Sequence, residues 1–108
     1  MRHYVYAERD GTRPIPPGRY RVRIDRGFEY EAHEEVVDVA DEGEVLISAT
    51  LARVVDTPGW ISADLHVHAR PSWDAPTLLD DRVRSLAGAG VEVAVATDHN
   101  AVTDYAPV

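Results

Sequence analysis

The chain has 108 residues, of which 44% are apolar and 28% are charged, and 19 acidic against 11 basic residues give it a net charge of −8. An apolar fraction typical of globular proteins excludes an acidic disordered tail, and no apolar run approaches the roughly 20 residues that span a bilayer. The acidic balance argues against a groove for nucleic-acid phosphates. We therefore expect a folded, soluble chain with no membrane or nucleic-acid partner and, because no signal peptide is visible, a cytoplasmic location by default.

Two missing residue types limit the chemistry. Because the sequence contains no cysteine, disulfides and thiolate ligands are excluded, and any metal site must use His, Asp and Glu. All the basic residues other than histidine are arginines, which excludes a lysine Schiff base within these residues.

Residues 1–57 contain short alternating runs separated by turn residues, a spacing typical of a β-meander. In residues 20–24, apolar and charged side chains alternate, which predicts a half-buried strand. Residues 28–31 repeat the alternation with acidic side chains, so a hairpin would set arginines against glutamates, at roughly 0.2 to 1 kcal/mol per pair. Residues 45–51 predict a third, more buried strand. Together these runs predict a small antiparallel β-layer.

A different pattern begins at Pro58 and Gly59. Residues 61–66 predict a short strand, and residues 91–97 are nearly continuous in apolar side chains, as is typical of a strand buried on both faces of a parallel sheet. A helical pattern lies between them. This order predicts one right-handed βαβ unit. The fold class that we expect is therefore α+β, with a β-rich domain over 1–57 and the βαβ unit over 58–108.

The helix is predicted from small and apolar residues at the spacing of one helical face, namely Leu79, Val83, Leu86, Ala87 and Gly90. The opposite, exposed side carries charged residues, namely Asp80, Asp81, Arg82 and Arg84. Thr77 is the predicted N-cap, with Asp80 as its partner in a capping box.

Polar side chains follow both predicted strands of the βαβ unit. His66 and His68 lie at the end of the first strand, and Asp98 and His99 come directly after the second. Functional groups collect at the carboxyl ends of parallel strands, and neighbouring strands are only about 4.8 Å apart. Residues two apart in a strand project to the same side, so both histidines could bind one ion. The sequence therefore predicts a metal site here, with Asp74 as a further oxygen ligand.

Three of four neighbouring residues allow two interpretations each. Asp64 shares the face of the two strand histidines and could orient one of them. Trp60 and Trp73 are expected to cover the core, with the mouth of a pocket as the alternative. Arg70 is expected to be a solvent-exposed loop residue, with an anionic substrate as its alternative partner.

Residues 64–68 (Asp-Leu-His-Val-His), with Ser72 and Asp74, and residues 96–100 (Ala-Thr-Asp-His-Asn) resemble the first two motifs of the PHP superfamily, named for polymerase and histidinol phosphatase. Its members are similar to distorted (β/α)₇ barrels whose rim holds Zn, Mn or Fe ions and which hydrolyse phosphoesters. The resemblance is closest to the carbaryl-hydrolase-like branch, in which a transthyretin-like or carboxypeptidase-regulatory-like β-domain can precede the barrel. Residues 26–31 and 60–62 resemble that β-domain and its junction.

The resemblance implies roles for individual residues. His66 and His68 correspond to the metal ligands of the first motif, and His99 to a ligand of the second. Asp98 is expected to be a weak ligand or an orienting group, and Asp98 and Asp74 are the two carboxylates expected to act in catalysis. The implied cofactor is a divalent Zn, Mn or Fe ion, and the implied partner is a small-molecule phosphoester or ester substrate.

This sequence departs from the family pattern in two places. The family commonly has an acidic residue directly after the serine that follows the histidine pair, whereas Trp73 stands there and Asp74 comes one residue later. The third and fourth motifs, another histidine and a late Asp-x-His, are absent from these residues. We therefore expect an amino-terminal, truncated piece of such a hydrolase, weakly active or inactive alone, that lacks its carboxyl-terminal barrel portion.

Two other function classes remain open. An amidohydrolase barrel also begins with two histidines at the end of its first strand, although the Asp-His-Asn sequence after the second strand favours the PHP motif. The chain could instead be a non-enzymatic, β-rich interaction module that self-associates into a homo-oligomer, because a lone βαβ unit leaves strand edges unpaired.

Overall fold

A computed structural model describes residues 5–6 and 11–106 of the chain. The chain divides into two compact units, Met1–Val55 and Asp56–Val108. The described residues form two small sheets and one helix, a mixture of helix and strand as expected for an α+β protein. In chain order the elements are β1 (Gly18–Ile24), β2 (His33–Val39), β3 (Ala63–Val67), α1 (Leu79–Gly88) and β4 (Val93–Ala96). Within the described ranges, no helix has the length and apolar character needed to cross a membrane.

The first unit is built on an antiparallel hairpin of β1 and β2. The predicted strand at 20–24 is confirmed, with its apolar side chains half-buried and its arginines exposed. Arg23 lies opposite Glu34, and its Nη1 donates a hydrogen bond of 2.6 Å to Glu34 Oε1. An arginine therefore does pair with a glutamate across the hairpin, although the glutamate comes from a later segment than predicted.

The predicted strand at 28–31 is wrong. The chain turns at Gly27, which has a φ of 70°, and the partner of β1 is the following segment, where three valines favour a strand. Tyr30 forms only an isolated antiparallel bridge with Arg53. The backbone N–H of Glu31 donates to the carbonyl of Ala52 at 2.8 Å.

The predicted strand at 45–51 is also wrong. A strand needs a neighbour for its backbone groups, and residues 29–31 find theirs at 52–54 instead. Leu46, near the start of the apolar run, is 93% exposed. An apolar run is therefore not enough to predict a strand, because the strand also needs a neighbouring segment to pair with.

The second unit contains the predicted order of strand, helix and strand. β3 and β4 pair in parallel, with Ala63 opposite Val93 and Val67 opposite Ala96, and the register is irregular between Asp64 and Val67. β4 is not buried on both faces, since Val93 and Val95 are each 42% exposed. Parallel strands are buried on both faces where helices cover both sides of the sheet, and the described part of this unit has one helix.

The N-cap of α1 lies one residue after the predicted one, Thr77. The N-cap is Leu78, and no side chain caps the first turn. The hydroxyl of Thr77 instead accepts a hydrogen bond of 3.4 Å from Arg82 Nη2. Arg82 was expected on the exposed side of α1, but its side chain is half-buried and turns back towards the end of β3.

The most enclosed part of the second unit lies at the carboxyl ends of its strands. The residues that are buried within the described ranges are Val67, Ala69, Ser72 and Asp98. Two of these four are polar, and all of them lie in or beside the two segments that contain the histidines. The enclosed part of this unit therefore surrounds the predicted metal site.

Candidate metal centre

The end of β3 brings two histidine rings together. Nε2 of His66 lies 2.9 Å from Nε2 of His68, and the ring centroids are 4.8 Å apart. His66 is exposed, whereas the side chain of His68 is only 16% exposed. His68 therefore reaches inwards, with its second nitrogen, Nδ1, directed at the loop that follows.

Asp74 is the carboxylate on which the neighbouring groups converge. Its Oδ2 lies 3.0 Å from His68 Nδ1 and 3.5 Å from His99 Nε2. One ligand atom from each of His68, Asp74 and His99 lies within 4.8 Å of the others. This group, called the His–Asp–His group below, contains two of the three predicted histidine ligands and the carboxylate of the following loop. His66 adjoins the group through its contact with His68.

Ser72 stabilises this arrangement through hydrogen bonds to Asp74 and to the backbone of His99. It is only 2% exposed, and its Oγ donates a hydrogen bond of 2.6 Å to Asp74 Oδ1. The same Oγ accepts a hydrogen bond of 3.0 Å from the backbone N–H of His99. A tight turn places it there, because its own N–H donates to the carbonyl of Ala69 at 2.8 Å. Sequence reasoning noted Ser72 only as part of a motif; its position two residues before an aspartate was the available signal.

Asp98 is placed differently from Asp74. It is 7% exposed, and its Oδ1 accepts a hydrogen bond of 2.7 Å from the backbone N–H of Ala69. Its Oδ2 accepts a hydrogen bond of 3.3 Å from the hydroxyl of Tyr105. Asp98 therefore joins the segment after β4 to the segment after β3, and it lies outside the His–Asp–His group.

Both carboxylates are held in their charged form. The hydrogen bond from Ser72 is the main reason why the pKa of Asp74 lies below its ordinary value. Burial by itself would raise the pKa of Asp98, but hydrogen bonds, of which that from Ala69 is the strongest, outweigh it and lower the pKa. Burial, followed by the charge of Asp98, raises the pKa of Tyr105, which therefore remains a hydrogen-bond donor.

The backbone around the two strand histidines is held by one acidic and one basic side chain. Asp64 accepts a hydrogen bond of 3.1 Å from the backbone N–H of His66, so it fixes the main chain and not the ring. Arg82 donates from Nε to the carbonyl of His68 at 2.8 Å. These four residues and Val67 line an open pocket of about 270 Å³.

The two tryptophans do not cover the core as expected. Trp60 is 79% exposed and Trp73 is 78% exposed. Trp73 stacks on the ring of His99, with centroids 5.5 Å apart and an angle of 28° between the planes. The indole of Trp73 thus stands beside His99, although it is not among the residues that line the pocket, and Arg70 is exposed in the loop before it.

The donor set fits a divalent cation. Two imidazoles and a carboxylate are common ligands of catalytic zinc, and neighbouring ligand atoms on a tetrahedral ion with bonds of about 2.0 to 2.2 Å are roughly 3.3 to 3.5 Å apart. The separation of Asp74 Oδ2 from His99 Nε2, 3.5 Å, matches that value, and His68 Nε2 lies 2.9 Å from His66 Nε2. The ring of His99 is about half exposed, which leaves the group accessible to water.

Comparisons with protein-family models, curated proteins and solved structures find no match to this chain. The geometry of the site and the resemblance of its two motifs are therefore the features that bear on function.

Proposed function

We propose that the second unit, Asp56–Val108, contributes part of the metal centre of a hydrolase of PHP type. In this proposal His66, His68 and His99 bind a Zn, Mn or Fe ion, β3, α1 and β4 begin the barrel, and residues 1–57 form the preceding β-domain. The observation that supports it is the convergence of His68, Asp74 and His99 at the carboxyl ends of two paired parallel strands.

The contacts of His68 define which nitrogen is available to an ion. An ionised carboxylate can only accept a hydrogen bond, so the proton between His68 and Asp74 belongs to Nδ1 of the histidine. Nε2 of His68 then presents a lone pair towards His66. A carboxylate that orients a histidine in this way is a common feature of zinc sites. Asp74 therefore fixes the ring of His68 and also adds negative charge for a cation.

A bound divalent ion would supply a coordinated water with a pKa near neutrality and would stabilise the negative charge that develops on a phosphoryl or carboxyl ester. The protein's own residues supply the rest. Asp74 is the better placed of the two carboxylates to accept a proton from water, because its Oδ2 faces both His68 and His99 at the open edge. Asp98 keeps the two strand ends together, since it is only 7% exposed and accepts hydrogen bonds from Ala69 and Tyr105, whereas the side chain of Asp74 is 31% exposed.

Metal binding and hydrolysis by the full chain test this proposal. After treatment with EDTA and dialysis, the chain is titrated with zinc and with manganese by calorimetry. We expect one ion per chain for the wild type and loss of binding in a His68→Ala, His99→Ala double variant. His33→Ala is the matched control, because His33 lies in β2 and contacts Glu35 at 2.9 Å.

Hydrolysis of an aryl phosphate and an aryl acetate is then measured with the ion present. Slow, zinc-dependent turnover that is lost in the double variant supports the proposal. Unchanged zinc binding in the double variant, or no stoichiometric binding by the wild type, would contradict it. Faster hydrolysis of a lactone or an amide than of either ester would favour the amidohydrolase alternative.

Exposed apolar side chains in the second unit favour self-association as a second candidate function. Leu65 is 68% exposed, and Val93 and Val95 are each 42% exposed, on the two strands of a small parallel sheet. Such surfaces commonly mark contact sites. Size-exclusion chromatography with light scattering tests this candidate: a metal-independent dimer that Val95→Thr weakens supports it, and a monomer at all concentrations contradicts it.

A further inference from the structure

Asn100, the residue directly after His99, has an uncommon backbone conformation. Its φ is 55°, and within the described ranges it is the one residue other than glycine with a positive φ. This left-handed region is unfavourable for residues that have a Cβ atom, although asparagine adopts it more readily than most. Such conformations persist where neighbouring contacts hold them, and they cluster at functional sites. The conformation of Asn100 is therefore expected to depend on contacts on either side of it.

Hydrogen bonds hold the chain both before and after Asn100. The backbone N–H of His99 donates to Ser72 Oγ at 3.0 Å. Further along the chain, the hydroxyl of Tyr105 donates to Asp98 Oδ2 at 3.3 Å, so the chain has to fold back between these two residues. His99 and Asn100 form the turn at which it begins to do so. The positive φ of Asn100 is therefore part of the path that returns Tyr105 to Asp98.

The side chain of Asn100 does not account for this residue type. Asn100 is exposed, and its side chain forms no hydrogen bond with any residue that the structure describes. Asparagine differs from most other residues in tolerating a left-handed backbone, a property that glycine shares and that alanine and valine lack. What Asn100 contributes to the site is therefore its backbone conformation.

His99 depends on its backbone because little else restrains its ring. The side chain is 49% exposed, and its Nε2 lies 3.5 Å from Asp74 Oδ2. The ring also contacts the rings of His68 and Trp73, with centroids 4.8 and 5.5 Å away. Trp73 is itself 78% exposed, so the imidazole is not enclosed by buried packing. The direction in which the main chain presents the side chain is therefore important for the position of this ring.

We propose that Asn100 is a positioning residue, whose left-handed backbone directs the ring of His99 into the His–Asp–His group and so sets the affinity of that group for a metal ion. If residue 100 leaves the left-handed region while Asp98 and Tyr105 stay in contact, the chain between them, including His99, has to move. Metal binding must then restore the left-handed conformation, and the affinity falls by the cost of doing so. The inference rests on the proposed function for the ion, whereas the position of the ring does not.

The first experiment measures the position of His99 without metal. Nuclear Overhauser effects between the rings of Trp73 and His99 are recorded by NMR for the full chain in EDTA, since these rings are stacked in the structure. We expect the effect in the wild type and in Asn100→Gly, and a weaker effect or none in Asn100→Ala and Asn100→Val. Ala101→Val is the matched control, because Ala101 is exposed and does not have a positive φ, and it should behave as the wild type does.

The second experiment measures zinc affinity by calorimetry on the same five proteins. Asn100→Gly should stay within about threefold of the wild type, because glycine adopts the left-handed conformation without steric cost and loses only some rigidity. Asn100→Ala should bind zinc about tenfold more weakly, since L-residues pay for this conformation, and Asn100→Val should bind more weakly still. Recovery by glycine, which has no side chain, separates a backbone role from a side-chain role.

Two results with equal effects of glycine and alanine would overturn the inference. If both variants match the wild type, the backbone conformation does not matter; if both are weakened alike, the amide side chain is what acts. Absence of the Overhauser effect in the wild type would also overturn it, as would unchanged zinc affinity in Asn100→Ala when the effect is lost. If the wild type binds no zinc, the proposed function fails, and the spectra in EDTA still decide whether Asn100 positions His99.

Discussion

Ser72 Oγ donates a hydrogen bond of 2.6 Å to Asp74 Oδ1 from a position that is 2% exposed. Because the same oxygen accepts the backbone N–H of His99, one hydroxyl connects the loop after β3 to the segment after β4. The two halves of the candidate site thus share a buried polar group, and the loss of that group should affect both.

Ser72→Ala should weaken zinc binding and destabilise the second unit. The substitution leaves the N–H of His99 without its acceptor, at a cost of about 1 to 3 kcal/mol, and removes the strongest influence that keeps Asp74 charged. Loss of such a supporting contact commonly lowers metal affinity about 10- to 100-fold. Calorimetry with zinc measures the affinity, and tryptophan fluorescence in urea measures stability, since Trp60 and Trp73 both lie in Asp56–Val108.

Ser85→Ala is the control for this substitution. Ser85 Oγ donates to the carbonyl of Arg82 within α1, and alanine is the better helix former, so its removal should leave both measurements nearly unchanged. Equal effects of the two substitutions would show that Ser72 has no special role.

Asp98→Asn should lower the free energy of unfolding of the second unit by about 1 kcal/mol, because the amide oxygen can still accept the backbone N–H but lacks the charge that strengthens the bond. Asp98 accepts the N–H of Ala69, which is completely buried. Asp104→Asn is the control, because exposed Asp104 also accepts a nearby backbone N–H, that of Ala106 at 2.9 Å, and should change stability by less than about 0.5 kcal/mol. Urea unfolding of the two variants should therefore differ clearly; equal midpoints would count against a structural role of Asp98.

The same carboxylate should make the second unit sensitive to acid. The pKa of Asp98 is lower in the folded chain than the value of about 3.9 in an unfolded chain, so the unfolded state binds more protons between the two values. This contribution to stability is complete above the unfolded pKa and is lost as the pH falls through the folded pKa. Urea unfolding in EDTA at several pH values measures the slope. The slope should be smaller for Asp98→Asn and should not vanish, because the pKa of Asp74 is also lowered.

The sequence predicted the elements that repeat a local pattern. The alternation in 20–24 and the helical spacing from Leu79 reflect the local backbone geometry of a strand and of a helix, which depends on residues close together in the chain. Both elements are present in the structure. Strand pairing was harder to predict, because it depends on which distant segment of the chain lies beside each strand. Residues 28–31 were expected to pair with β1, but β2 took that position and residues 29–31 pair with 52–54.

In the candidate site, too, the general arrangement could be predicted from the sequence, whereas the individual contacts could not. Topology explains why residues after β3 and after β4 meet, since parallel strands end at the same edge of a sheet. The spacing of residues in the sequence did not predict the contacts of individual side chains. Arg82 was expected in solvent because its neighbours in α1 are charged, yet a long side chain near the start of a helix can reach back, and it meets the carbonyl of His68.

Trp73→Ala should weaken zinc binding a few-fold, whereas Trp73→Phe should keep most of the affinity. The indole stacks on His99 at 5.5 Å, and such ring pairs contribute about 0.5 to 1.5 kcal/mol, with the lower value expected for a tryptophan that is 78% exposed. Trp60→Ala is the matched control: Trp60 is equally exposed and has no ring contact with a described residue. Calorimetry with zinc measures all three variants. Since stacking restricts the ring of His99 before an ion arrives, equal affinities for Trp73→Ala and Trp60→Ala would mean that His99 needs no such restraint.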